Sequence, residues 1–379
     1  MSNDHLRVGM VGYAFMGRAH AHAWRSAHRF FDLPRVPELT AIVGRDRAAV
    51  DAAAERLGFA STETDWRALL ERDDIDLVDI CTPGDSHAEI AVAALQTGKH
   101  VLCEKPLANT VEEAEQMAAA ARAAAERGVW AMCGFSYRRT PALTLARQLV
   151  QAGRLGTVRH VRATYLQDWL SDPEAPMVWR LDKAKAGSGA LGDLGAHLID
   201  TTQWLTGQLI GSVSASLETF VTSRPAGADG PRGEVTVDDA SFFMARFADG
   251  VLGTFEATRF ALGRRNAFRI ELNGNQGSLA FDFEDNNVLR FFDGTLPSGE
   301  QGFRRILVTE PEHPYIGAWW PPGHGLGYEH GFTNQVADLV IAIAENRQPV
   351  PSFDEGLQVQ RVLGAAERSA AHDSAWTAL

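Results

Sequence analysis

The stretch HVLCEKPLANT ends a β-like run with Glu104, Lys105 and Pro106, and GALGDLGAHLIDTTQW sets Asp193 and His197 four residues apart. A spacing of four stacks two side chains on one face of a helix. That pair fits three chemistries: a core histidine satisfied by an acid, two ligands of a metal ion, or an acid–imidazole dyad that moves a proton. The metal reading is the poorest of the three, and no metal is expected. Lys105 reads either as a surface lysine closing a strand or as an amine delivered into a ligand crevice, and the proline behind it is expected to fix the turn in cis.

A second group reads as a binding loop. GYAFMG follows one β-like run and opens a helical one, the context in which GxGxxG binds a dinucleotide. Gly12 permits the tight turn and Gly17 lets helix pack on strand; with Phe15 and Met16 between them, the helix amides face the phosphates. Ala14 replaces the second glycine, and its methyl lies where backbone should approach the pyrophosphate most closely. The next strand ends in AIVGRD, so Gly44 and Arg45 stand where an acid would bind the ribose hydroxyls of NAD. An arginine there pairs with a 2′-phosphate, a weak lean toward NADP; the other reading is a solvated Arg45 beside an N-capping Asp46. In CTPGDSH, the residues Thr82, Pro83 and His87 are expected to flank the nicotinamide, as are Glu104 and Lys105 after the following strand.

The elements that must carry these groups follow from periodicity. Up to residue 138, short β-branched runs alternate with amphipathic stretches: LRVGMVG before a helix from Phe15, ELTAIVG before one near Asp46, IDLVDICTP before one at 86–97, HVLCEKP before one at 111–127, then VWAMCGF. Strands separated by helical crossovers predict a parallel, doubly wound sheet that binds ligands beyond its carboxyl strand ends. After a helix at 141–152 the period changes to two in TVRHVRATYLQDW, and hairpin turns are expected at Asp249-Gly250 and across 273–277. The second half is therefore expected as an α/β domain with a large open, mostly antiparallel sheet. Its conspicuous helices are the one ended by Gly207 and one at 329–345, and the Gly/Pro-rich stretches 223–233 and 311–327 read as surface loops.

Bulk properties exclude several classes. A length of 379 residues allows two or three domains of about 150 residues. A net charge of -12 argues against nucleic acid and anionic membrane as partners, since both demand a positive field. Cys81, Cys103 and Cys133 show no metal or CxxC spacing, and an odd count fits a reducing compartment. No apolar run approaches the roughly 18 residues of a membrane span, and residues 1–5 lead straight into a strand without signal-peptide character. A cytoplasmic location is expected.

Taken in order, GYAFMGRAH, CTPGDSHAEIA, GKHVLCEKPLA and GALGDLGAHLID resemble the glucose-fructose oxidoreductase / inositol dehydrogenase / rhizopine-catabolism (Gfo/Idh/MocA) family over nearly the whole chain. The resemblance implies a Rossmann dinucleotide-binding domain at 1–138 and a substrate-binding and oligomerisation domain at 139–379. It also implies NAD or NADP as cofactor, a sugar, anhydrosugar or cyclitol alcohol as substrate, and a homodimer or homotetramer. It assigns catalysis to Lys105, Asp193 and His197: the imidazole takes the hydroxyl proton, the carboxylate orients it, and the amine holds the reacting oxygen. FSYRRTPA, TYLQDW, WRLDKAKAGSGALGD and EATR look like the levoglucosan dehydrogenase subgroup, in which a pyranose C3 hydroxyl is oxidised. These stretches nominate Tyr137, Arg138, Gln167, Asp168, Trp169 and Arg180, with Asp193 and His197, as substrate-binding residues. His324, Tyr328 and His330 are further candidates for closing the pocket. Two alternatives stand beside this reading: an NAD-dependent glycoside hydrolase working through transient oxidation, and a cofactor-sensing regulator, which would be expected to lack Lys105 or His197.

Overall fold

A computed structural model describes residues 4–227 and 230–379, arranged as two compact units. One comprises residues up to Arg139 together with Gly327–Gln358; the other comprises Thr140–Leu326 and Val359–Leu379. The expected break at 138/139 therefore omits a return of the chain, for 327–358 belongs with the amino-terminal unit. Residues 1–3, on which the expectation about the chain's start partly falls, and 228–229, within one expected loop, lie outside the described residues.

In the first unit, β1 (His5–Val11), α1 (Phe15–Phe30), β2 (Val36–Val43), α2 (Arg47–Leu57), β3 (Ser61–Glu63), α3 (Trp66–Leu70), β4 (Leu77–Ile80), α4 (His87–Gln96), β5 (His100–Cys103), α5 (Val111–Ala125) and β6 (Ala131–Cys133) alternate as the periodicity predicts, except that β3 and α3 were not expected. The strands form one parallel sheet of order β3-β2-β1-β4-β5-β6. Parallel strands covered on both faces read as continuous apolar runs, and Leu77–Ile80 is buried at every position. Local chemistry sets the helix ends: Thr110 and Glu113 make a capping box on α5, and Asp46 caps α2 through a 2.8 Å bond from Ala49 N–H. Gly58 at φ +80° ends α2 in the left-handed conformation.

The second unit carries α6 (Pro141–Gln151), β7 (Val158–Leu166), the one-turn α7 (Lys183–Ala186), and a π turn at Leu191–Gly195 that runs into α8 (Ala196–Thr206). Next come β8 (Ile210–Glu218), the short pair β9 (Ser223–Pro225) and β10 (Arg232–Glu234), β11 (Ala240–Phe247), β12 (Leu252–Thr258), β13 (Ala267–Gly274), β14 (Gly277–Asp282), β15 (Val288–Asp293) and β16 (Phe303–Leu307). With β17 (Thr377–Ala378) they form a nine-stranded sheet of order β16-β15-β14-β13-β7-β12-β11-β8-β17, antiparallel except where β7 meets β12. The stretch 223–233, expected as loop alone, contains the β9/β10 hairpin. The sequence reading missed the short helices α3 and α7 and the long α10 (Phe353–Ala370). Helices α6 and α8 pack on one sheet face. On β11, Phe243, Ala245 and Phe247 are buried while Phe242 and Met244 are exposed.

The returning helix α9 (Tyr328–Ala344) explains the composition of the first unit. It supplies Phe332, Val336, Leu339, Val340 and Ile343 to the same core as Leu6, Val8, Trp24, Ile42 and Leu102. Phe332 is buried, so F332A leaves a cavity and should lower the unfolding free energy of this unit by about 3–5 kcal/mol. Denaturant titration monitored by tryptophan fluorescence checks this; an unchanged midpoint would show that α9 does not support the amino-terminal core.

Candidate active site

At the carboxyl edge of the first sheet, backbone packs against backbone. Gly12 has φ +97°, and a Cβ on it would lie 2.9 Å from the Cys81 carbonyl oxygen. A Cβ on Gly17 would lie 2.3 Å from the Gly12 carbonyl oxygen, so both glycines are obligatory for α1 to leave β1 as it does. Ala14 stands at the N-cap of α1 with no side-chain bond to the helix, and the first turn holds no acid. The amides there are thus uncapped by any side chain, which suits a phosphate. Phe15 is exposed and stacks on Tyr328 at 6.1 Å, whereas Met16 packs against the core. Gly44 carries no side chain because the Tyr13 ring fills that space: a Cβ would sit 2.0 Å from its Cε1. Any side chain at that position would require the Tyr13 ring to move. Arg45 is exposed, and Asp46 is the N-cap described above.

Beneath this edge lies a buried polar network that the sequence reading did not find. His20 of α1 meets Asp79 of β4 through Nδ1 at 2.9 Å and Glu104 through Nε2 at 3.0 Å, and Trp24 Nε1–H donates to Asp79 at 2.7 Å. Burial opposes a charge on His20, but Asp79 outweighs it and holds the imidazole well above its usual value. The second Glu104 oxygen accepts the backbone N–H of Lys105 at 3.2 Å. Glu104 thus orients the strand end from below. Lys105 is half-buried and the Lys105–Pro106 bond is cis. Among the described residues, His20, Asp79 and Cys81 bring ligand-type atoms within 4.8 Å of one another, but the His20 Nδ1 contact is a hydrogen bond to Asp79, and burial pushes the Cys81 thiol up to about 12.

Thr82 and Pro83 follow β4 at the same edge. His87 is buried, with Nε2 2.9 Å from the Thr82 carbonyl and Nδ1 3.1 Å from that of Pro106. It ties the two loops together and presents no open ring edge. Arg138, nominated for substrate, is also buried and donates to Glu355 at 2.6 Å. Tyr137, in the same turn, is buried. Of the three residues expected to close a pocket, His330 accepts the Gly327 N–H at 3.0 Å near the start of α9, Tyr328 stacks beside the glycine loop, and His324 is exposed in the other unit.

The second unit gathers its candidates around the junction of the π turn with α8. His197 is buried, and the Tyr165 ring stands edge-on to it at 5.9 Å. Tyr165 O–H and Gln167 Nε2–H both donate to Asn266 Oδ1, at 2.7 and 2.8 Å, and Trp169 Nε1–H donates to Gln167 at 3.0 Å. Trp169 is exposed, so this ladder joins an aromatic face to the histidine's surroundings. Asp193 lies in the π turn and not in a regular helix; it accepts from Arg259 Nη2 at 2.9 Å. Asp238 accepts the N–H groups of Gly189 and Leu191, each at 2.7 Å. Burial pushes the Asp238 carboxyl up, and those two N–H groups with Arg259 oppose it. Asp168 holds Gly263 N–H and Arg265, so it shapes a loop and does not join the ladder. Arg180 is half-buried and covers the Trp179 ring at 4.4 Å. Tyr165 and Arg259 stood inside quoted stretches without a role; Asn266 and Asp238 gave no local signal.

Comparison with known proteins agrees with both units. Residues 6–134 match a model described as an oxidoreductase family with an NAD-binding Rossmann fold, and 143–280 match the GFO/IDH/MocA C-terminal domain. The chain is 40% identical to levoglucosan dehydrogenase of Pseudarthrobacter phenanthrenivorans, over 98% of this chain and 97% of that protein. An oxidoreductase domain protein from Kribbella flavida superposes with a TM-score of 0.96 at 66% identity, covering 99% of each chain. A levoglucosan dehydrogenase solved with NADH and levoglucosan superposes with a TM-score of 0.94 at 40% identity, again over 99% of each. Among the described residues no helix is long and apolar enough to cross a membrane.

The Arg138–Glu355 pair has a measurable signature. Burial raises the Glu355 carboxyl, but Arg138 and the Ser352 N–H outweigh it and hold it below the ordinary value. A carboxyl lowered on folding contributes stability that is present above its unfolded value, about 4.3, and is lost as pH falls through the folded one. Denaturation midpoints of E355Q should therefore fall less steeply than those of the unaltered protein between about pH 6 and about pH 3; parallel curves would contradict the pairing.

Proposed function

We propose that this chain, which belongs to the Gfo/Idh/MocA oxidoreductase family, oxidises a secondary hydroxyl of a sugar, anhydrosugar or cyclitol to a ketone with NAD or NADP, with the C3 hydroxyl of a pyranose favoured. The observation that carries the reading is the arrangement around His197: a buried imidazole edge-on to Tyr165, four residues after an Asp193 carboxylate bound by Arg259, with Tyr165 joined through Asn266 and Gln167 to the exposed face of Trp169. Pyranoses require such a combination of hydrogen-bonding groups and an aromatic face. Gly12, Gly17 and the uncapped amides of α1 fit a dinucleotide pyrophosphate; Ala14, Phe15, Thr82 and Pro83 share that edge. The first unit is read as the cofactor domain and the second as the substrate domain.

A nicotinamide bound at that edge would supply the acceptor for the hydride leaving the carbinol carbon. His197 removes the hydroxyl proton, Asp193 orients the ring and favours its protonated form, and Lys105 donates to the reacting oxygen as negative charge develops on it. Gln167 and Trp169 hold the sugar; Tyr165 and Asn266 hold Gln167. The lean toward NADP rests on exposed Arg45 and on Gly44 standing where an acid would bind the ribose, while the relatives' NAD-binding description favours NAD. Cys81, Cys103 and Cys133 are buried and form no disulfide, which supports a reducing, cytoplasmic setting.

The deciding experiment follows NAD(P)H absorbance with each nicotinamide and a panel of anhydrosugars, hexoses, inositols and glycosides. Sustained NAD(P)H formation is expected, and K105A and H197A should each lose about a hundredfold or more in kcat while still binding NADH. Full activity in either variant would remove that residue from the mechanism. Released aglycone without net NAD(P)H would move the reading to a glycoside hydrolase, and no turnover at all would overturn it.

Exposed Phe242, Met244 and Leu252 on adjacent strands β11 and β12 support a homodimer or homotetramer built on the open sheet face. Sedimentation velocity should give a dimer or tetramer that F242D dissociates; a monomeric wild-type protein would contradict this.

A further inference from the structure

The turn that carries Asp193 is held from outside by the ends of two neighbouring strands. Asp238 and Asp239 precede β11, Arg259 follows β12, and antiparallel pairing of Ala240 with Thr258 brings these ends side by side. Their backbones are joined by Arg259 N–H to the Asp239 carbonyl at 3.1 Å, with Thr258 Oγ1 donating to the same oxygen. From this corner Asp238 takes the amides of Gly189 and Leu191 at 2.7 Å, and its own carbonyl accepts Ala190 N–H at 3.0 Å. Arg259 Nη2 donates both to the Gly189 carbonyl at 3.1 Å and to Asp193 at 2.9 Å. Opposite charges therefore grip opposite polarities of one turn.

Two further facts show how tightly the corner is built. A Cβ on Gly189 would lie 1.7 Å from the Asp238 carbonyl oxygen, so any other residue there would push the turn away. The Arg259 side chain is 1% exposed, and its Nε and Nη1 have no hydrogen-bond partner among the described residues. A buried guanidinium is costly to desolvate and is kept where it has a specific counter-group; among its side-chain nitrogens Nη2 makes the bonds, to Asp193 and the Gly189 carbonyl. The same guanidinium stands 5.5 Å from the centre of the Trp169 ring, at the outer end of the hydrogen-bonded ladder. One side chain thus meets both the Asp193 carboxylate and the Trp169 ring.

We propose that Arg259, with Asp238 as its counterpart, is a positioning residue that fixes the π turn and aims the Asp193 carboxylate, in register with Trp169. It acts through Asp193 and contacts no reacting atom. The inference rests on the dehydrogenase reading for its effect on turnover, but the geometry of the turn can be read independently of it.

The test compares R259Q, R259K and D238N in the full chain. Hydrogen exchange of the 189–195 amides in the absence of substrate should be about tenfold or more faster in R259Q and D238N, with the glycine-loop amides unchanged. In turnover, R259Q should lose about ten- to a hundredfold in kcat, with a smaller effect on sugar KM and unaltered NADH binding, because a misplacement of order 1 Å is costly in the chemical step. R259K keeps the charge and one donor and should recover part of kcat. Unchanged exchange at 189–195 in R259Q overturns the clamp, whatever the activity. Wild-type turnover that R259Q retains in full overturns its role in catalysis, and a lower melting temperature with unaltered kcat per folded molecule reduces it to a stability element. Absence of NAD(P)H formation by the wild-type protein instead overturns the functional reading, leaving the exchange result to decide the clamp.

Discussion

His20 belongs to the helix after the glycine loop, Asp79 to the strand beside that loop, and Glu104 to the end of the next strand, up to 84 residues away along the chain. Their contact is the constraint from which the carboxyl edge of the first sheet takes its shape. Two carboxylates buried without a cation between them would be prohibitively costly, and a histidine buried without them would be neutral and free to turn. Held at 2.9 and 3.0 Å, the three cross-link the segments that present Gly12, Thr82 and Lys105. His87 adds a second tie between the later two loops through backbone carbonyls. Position at this edge is therefore fixed by buried polar bonds as much as by apolar packing.

The second unit solves an equivalent problem with different chemistry. A sheet with one covered face cannot enclose a histidine between strands, so His197 sits where a helix starts above strand ends, and the turn before it departs from α geometry. Asp238 and Arg259 supply that turn's missing partners. Arg224 does comparable work nearby: fully buried, it donates to the carbonyls of Leu170 and Asp172 and so holds the loop that follows Trp169. Both units place potential chemistry on segments whose own backbone groups are satisfied by charged side chains from elsewhere.

Alternating periodicity and glycine stops made the parallel sheet legible, since Gly98, Gly128 and Gly207 all adopt positive φ where helices were expected to end. The period-two runs likewise gave β11 to β14 and their turns. Helix α10 was missed although its start carries a legible signal, Ser352 and Glu355 capping each other's backbone N–H. The Asp193/His197 spacing was visible, but a π turn has no sequence period that separates it from an ordinary helix. Arg138 looked like a polar residue awaiting a ligand because its partner Glu355 is 217 residues away. The same distance effect concealed Arg259 and Asp238: long-range ion pairs leave no local pattern, so a chain read by spacing shows the charges and not who neutralises them.

The return of 327–358 to the amino-terminal unit means that the polypeptide passes between units three times, at 139/140, 326/327 and 358/359. A ribosome therefore delivers the whole of Thr140–Leu326 before the first unit receives α9, and Trp24 and its neighbours await their cover throughout that interval. A truncated product ending near residue 140 would expose a greasy surface that its own sequence has no means to hide.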